Sequence, residues 1–177
     1  MCLQQCSTAH GLHPFGKTHP NLKAYIAFLI RDGLVLTATV LLWLVKPESY
    51  WLQLTTGVLT GVCALLFHEY GHLYGAKRSN AVVTPAPLWS PFIFNLNPSD
   101  NSKEQLLQIS FWGFGATALF VAFFVVALPL DTTAGQWGLG IGLVLASLTA
   151  IIEFPIAWRM AKDKPLPDLS IFTNNRS

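Results

Sequence analysis

The sequence predicts an all-α integral membrane protein with about four transmembrane helices and an extended or re-entrant loop between spans two and three. Three observations carry this. The 177 residues are 52% hydrophobic and 11% charged, where soluble domains carry about a quarter charged residues. Four stretches approach the roughly 20 apolar residues that a helix needs to cross a bilayer. The basic residues, finally, fall where four spans would gather them on one face.

Residues 1–23 form a polar tail without the apolar core of a cleavable signal peptide. Cys2, Cys6, His10 and His13 resemble a loose metal cluster there, but nothing around them builds a core, and a flexible tail is the reading. Span one, 24–45, is interrupted by Arg31 and Asp32. Residues 20–31 read as an interfacial helix and 32–45 as the inserted part, with Arg31–Asp32 open between an interfacial and a functional pair. Span two is 51–76. Its Gly57 and Gly61 form a small-xxx-small pattern suited to close helix packing. Spans three and four are 105–130 and 136–160, and 161–177 is a C-terminal tail. Residues 46–50 and 131–135 make tight hairpins. The segment 77–104 carries three prolines in its middle and cannot be a helix. It must pack against the bundle, because unpaired backbone cannot face lipid.

With four spans, Lys17, Lys23, Arg31, Lys77, Arg78, Lys103, Arg159, Lys162, Lys164 and Arg176 share one face and only Lys46 lies on the other. The positive-inside rule then makes both termini cytoplasmic. Trp43, Trp51 and Trp137 fall near the opposite interface as anchors. A net charge of +2 without a basic run excludes nucleic acid as a partner. The lipid bilayer is the expected surroundings.

Inside span two stands HEYGH, residues 68–72, an instance of H-E-x-x-H. On a helix His68 and His72 lie one turn apart on one face and can share one tetrahedral zinc ion. Glu69 is rotated by about 100°. Its carboxylate is placed to take a proton from zinc-bound water without ligating. Burying these groups in hydrocarbon costs several kcal/mol unless they pair or bind metal. The plainer reading is that they hydrogen-bond between helices.

A catalytic zinc needs a third protein ligand and an open fourth position. Depth ranks the carboxylates. His68 and His72 precede Lys77 by a rise of about 7–14 Å, and Glu153 precedes Arg159 by roughly 9 Å on a span returning to the same face. Glu153 is the first choice for third ligand and Asp168 the second. Asp131 lies at the opposite face. An interhelical contact to Tyr70 or Thr149 is the other reading of Glu153, and Pro155 can bend the span to aim it.

At these residues the chain resembles the site-2 protease family of intramembrane zinc metalloproteases, with H-E-x-G-H in a transmembrane helix and Gly71 at the glycine position. HLYGAKRSNAVV and FWGFGATA (111–118) are similar to the segments that follow in that family. The resemblance covers roughly residues 50–160. The family's Leu-Asp-Gly third-ligand motif is missing, and IIEFPIA (151–157) and KPLPDLS (164–170) each match a fragment of it. The resemblance implies that 24–160 is a metalloprotease-like domain hydrolysing peptide bonds of a membrane protein substrate, within its transmembrane segment. Zinc-bound water would attack and Glu69 would serve as general base. The 81–98 loop could hold an unwound substrate strand by edge pairing. Asn95 and Asn97 could bond its backbone, or could simply cap turns around Pro98. Two other functions compete: a membrane zinc or metal-binding protein acting on a non-peptide substrate, and a non-catalytic bundle that binds membrane partners.

Overall fold

The structure is a computed structural model and describes residues 22–162. Cys2, Cys6, His10, His13 and Asp168 lie outside the described residues. A 3₁₀ turn at Leu22–Tyr25 leads into α1 (Ile26–Val45), followed by α2 (Tyr50–Arg78), β1 (Val83–Pro85), β2 (Phe94–Leu96), α3 (Lys103–Ala127) and α4 (Thr133–Ala161). All four α-helices are long and apolar enough to cross a membrane. The chain is an all-α integral membrane protein with one small β-hairpin.

Helix boundaries follow from backbone chemistry. α1 ends where Lys46 turns left-handed at φ 49°. Ser102 caps α3 reciprocally with Gln105: Ser102 Oγ accepts from Gln105 N, and Gln105 Oε1 accepts from Ser102 N at 2.7 Å. Gln105 Nε2 also donates to the carbonyls of Ser79 and Asn80, so the cap of α3 is tied to the end of α2. Thr132 caps α4 by accepting from Gly135 N at 3.0 Å. One expectation needs correction. Among the described residues, α1 runs unbroken through Arg31 and Asp32, so 26–31 and 32–45 are one helix. The two side chains pair with each other at 2.6 Å, so the helix has no unpaired charge to expel.

α2 is the central element and packs on α1, α3 and α4. Small residues allow this. A Cβ at Gly57 would stand 2.6 Å from Trp137 Cβ and one at Gly61 would overlap Ile141, both on α4. One at Gly71 would stand 2.6 Å from Ala116 Cβ and one at Gly75 2.8 Å from the Gln108 carbonyl, both on α3. The polarity of the bundle is inverted relative to a soluble one. Its buried residues include Asp32, Thr39, Thr56, Thr60, His68, Glu69 and His72, while Leu34, Leu44, Leu119, Val126 and Ile151 point outward. Buried threonines bond their own helix, Thr56 to Leu52 O and Thr60 to Thr56 O. Trp43 Nε1 donates across to Thr60 Oγ1 at 2.9 Å, tying α1 to α2.

The hairpin is antiparallel, with Val83 opposite Leu96, Thr84 opposite Asn95 and Pro85 opposite Phe94. One set of its apolar side chains, Ala86 and Ile93, is buried with Tyr25 and Phe28 at the start of the chain's first helical segment. Val83 is buried with Ala76, Ala81 and Ile109, between α2 and α3. Asn101 closes the hairpin's base, accepting from Val82 N at 2.6 Å and donating to the carbonyls of Val82 and Asn97.

Candidate metal centre

The site is built where three helices meet. α2 presents His68 and His72 one turn apart, and α4 brings Glu153 against both. His68 Nε2 lies 2.9 Å from His72 Nε2 and 2.9 Å from Glu153 Oε1. His72 Nε2 lies 3.3 Å from Oε1 and 3.2 Å from Oε2 of the same carboxylate. The two histidines are 2% and 9% exposed, and the Glu153 side chain is 25% exposed, so the centre is buried and its open side is at Glu153.

The remaining ring nitrogens face α3. His72 Nδ1 is 2.9 Å from the Ile109 carbonyl, which can only accept, so Nδ1 carries a proton and, in the neutral imidazole, Nε2 offers a lone pair. His68 Nδ1 is 2.7 Å from Thr117 Oγ1 and 3.2 Å from the Gly113 carbonyl. The antiparallel pairing of α2 with α3 sets this up: residues one turn apart on one helix meet carbonyls one turn apart on the other. Gly113 makes the approach possible, since a Cβ there would overlap the His72 imidazole.

The Nε2 atoms of both imidazoles and the Glu153 carboxylate therefore converge on one point. Glu153 Oε2 is buried and makes no hydrogen bond, although it lies 3.2 Å from His72 Nε2. This donor set suits a cation. Among the described residues His68, His72 and Glu153 form the group that could hold a metal ion, with one ligand atom from each lying within 4.8 Å of the others. Ligand atoms around a tetrahedral ion with bonds of about 2.0–2.1 Å stand about 3.3–3.4 Å apart. The observed 2.9–3.3 Å separations reach that with shifts of a few tenths of an ångström.

Glu69 stands outside this group. It is 6% exposed, and its Oε2 accepts from the backbone amide of Ile93 at 3.4 Å, just before β2. Tyr70 and Thr149, the alternative partners expected for Glu153, are engaged elsewhere: Tyr70 Oη donates to Asp32 and Thr149 Oγ1 to the Ala146 carbonyl. Arg31 donates from Nε to Asp32 and from Nη1 to the carbonyls of Leu88 and Ser90, the last two at 2.7 Å each. The pair that sequence left open thus ties α1 to the hairpin loop. Asn95 is exposed in β2 opposite Thr84. Asn97 spends its side chain locally, accepting from Ser99 N at 3.2 Å and donating to Asp100 at 2.8 Å. That is a turn cap at Pro98, the plainer of the two readings given above for this asparagine.

Sequence reasoning passed over Gly113, Thr117 and Asn101. Only the small-residue run 113–118 signalled α3's close approach, and it did not say which glycine mattered.

Fold and site together define a class: a multi-pass membrane bundle with a buried His/His/Glu centre suited to a metal ion. No family model matches the chain, nor does a curated protein or a solved structure.

Proposed function

We propose that the protein is a zinc-dependent intramembrane endopeptidase of the kind the site-2 protease resemblance implies, acting on a transmembrane segment of a membrane protein. One observation supports this above the others. Glu69, next in sequence to His68, is buried without joining the His68/His72/Glu153 group, and its carboxylate accepts from the backbone amide of Ile93 where the loop enters β2. A buried carboxylate that adjoins a metal-ligating histidine yet stays outside the ligand set is what hydrolysis by a metal-bound water asks of its general base.

In this reading His68, His72 and Glu153 hold the zinc ion. Bound there, the ion would supply a Lewis acid that polarises the scissile carbonyl and acidifies a water. Glu69 takes the proton from the attacking water on its carboxylate and returns it to the leaving amine nitrogen, so that it starts and ends ionised. The scissile amide is sealed within its own helix until that helix unwinds. The hairpin offers a free strand edge to hold the unwound segment by backbone hydrogen bonds. The apolar surroundings of the centre keep bulk water from competing.

The test is Glu69→Gln in purified protein reconstituted with a panel of transmembrane substrates. Bound zinc should stay stoichiometric while cleavage falls roughly 10²–10⁴-fold. Cleavage at the parent rate would remove Glu69 from the mechanism. A parent protein that binds zinc but cleaves no member of the panel would favour a non-peptide substrate.

A further inference from the structure

We infer that Thr117 is a positioning residue, fixing the tautomer and orientation of His68 for metal binding. The inference rests on the metal centre proposed above and deepens it.

A threonine hydroxyl has one proton and two lone pairs. Thr117 spends the proton on its own helix, donating from Oγ1 to the Gly113 carbonyl at 3.1 Å. What it presents to His68 Nδ1, 2.7 Å away, is then an acceptor only. An acceptor at Nδ1 places the imidazole proton there and leaves the Nε2 lone pair aimed at His72 and Glu153. The reverse tautomer would put a proton into the metal position and leave Nδ1 facing the Gly113 carbonyl, lone pair against lone pair, at 3.2 Å.

The same device occurs a second time in the bundle, where its polarity is unambiguous. Thr60 Oγ1 donates to the Thr56 carbonyl at 2.7 Å and receives the Trp43 indole N–H at 2.9 Å. Indole nitrogen can only donate. A helix-bonded threonine therefore serves as an acceptor for an aromatic N–H across a helix pair at Trp43–Thr60, and the geometry at His68–Thr117 is its counterpart. The other histidine is held by the Ile109 carbonyl, which mutation cannot remove. Thr117 is the side chain through which the outer hydrogen bonding of this centre is open to change.

The experiment measures zinc(II) affinity by chelator competition on the detergent-purified full chain, and the visible spectrum after cobalt(II) substitution. Thr117→Val keeps the shape and deletes the nearer of the two acceptors at His68 Nδ1, leaving only the longer approach to the Gly113 carbonyl. It should weaken zinc about 10–100-fold, the usual effect of removing such a partner, and should alter the cobalt spectrum. Thr117→Ser restores the hydroxyl and should return both readings to the parent's. Thr55→Val, which removes a helix-bonded threonine that lies away from the centre, should leave both unchanged. Should Thr117→Val fail to fold, Thr117→Ala takes its place with the same expectation. Parent-like affinity and spectrum in the valine or alanine variant, or a serine variant as impaired as they are, would overturn the role of Thr117 while leaving the metal centre standing. A parent chain that takes up no stoichiometric zinc would instead overturn the metal centre, a result visible before any variant is compared.

Discussion

Gly113 and Gly115 look alike in FWGFGATA, and the structure gives them opposite meanings. A Cβ at Gly113 would overlap the His72 imidazole, whereas one at Gly115 meets nothing within 4 Å. Gly113→Ala must therefore push α3 from α2 or turn the ring away from its partners. It should lower stability by about 1–3 kcal/mol and weaken zinc at least tenfold, read by thermal melting and metal titration. Gly115→Ala should leave zinc binding intact and raise stability by about 0.5–1 kcal/mol, the helix preference of alanine over glycine. Equal behaviour of the two variants would contradict the packing described. Sequence could propose HEYGH because spacing along one helix is local information. It could not single out Gly113, whose role depends on which ring stands opposite it.

At the scale of elements, the β-hairpin is held from two sides. Arg31 grips the carbonyls of Leu88 and Ser90, and Glu69 accepts from the Ile93 amide. Asp32 steadies Arg31 and is itself held by Tyr70 from α2. Arg31→Ala should release the 86–93 connection, raising deuterium uptake there while α2 and α3 remain protected. Arg31→Lys should recover little, because an ammonium cannot reproduce the planar fork that serves two carbonyls and a carboxylate together. Unchanged uptake in the alanine variant would show that the buried apolar cluster of Tyr25, Phe28, Ala86 and Ile93 suffices to hold the hairpin. Element boundaries were legible from hydropathy to within a few residues. α3 and α4 begin earlier than the apolar runs do, since Ser102 and Thr132, the residues that start them, are polar caps that hydropathy does not weigh.

The whole molecule turns polar groups inward and apolar ones outward, which makes lipid the solvent its surface suits. Four spans return the chain to the side from which it started. Reporter domains fused at either end should accordingly give the same compartment, on the strength of the ten basic residues assigned to that face and Lys46 to the other. Opposite compartments would mean that one of the four helices does not cross. The proposed zinc ion also belongs to this scale, as it would join α2 to α4. Stripping it with a chelator should lower the melting temperature, and restoring it should recover the loss, because a ligand that binds only the folded state stabilises it by mass action.

The sequence by itself determined the solvent, the number of helices and the pair of histidines with their neighbouring glutamate. Each of these depends on hydropathy or on spacing within one segment, and a linear chain displays both. Depth along two spans even ranked Glu153 ahead of Asp168, because helical rise converts residue number into height. Tertiary structure alone decided what stands at that height around the axis. It set Glu153 against both imidazoles, turned their outer nitrogens to Ile109, Gly113 and Thr117, and laid Ile93 on Glu69. Rotation about a helix axis is settled by packing between helices, and in this chain that packing runs through glycines whose function is to leave room.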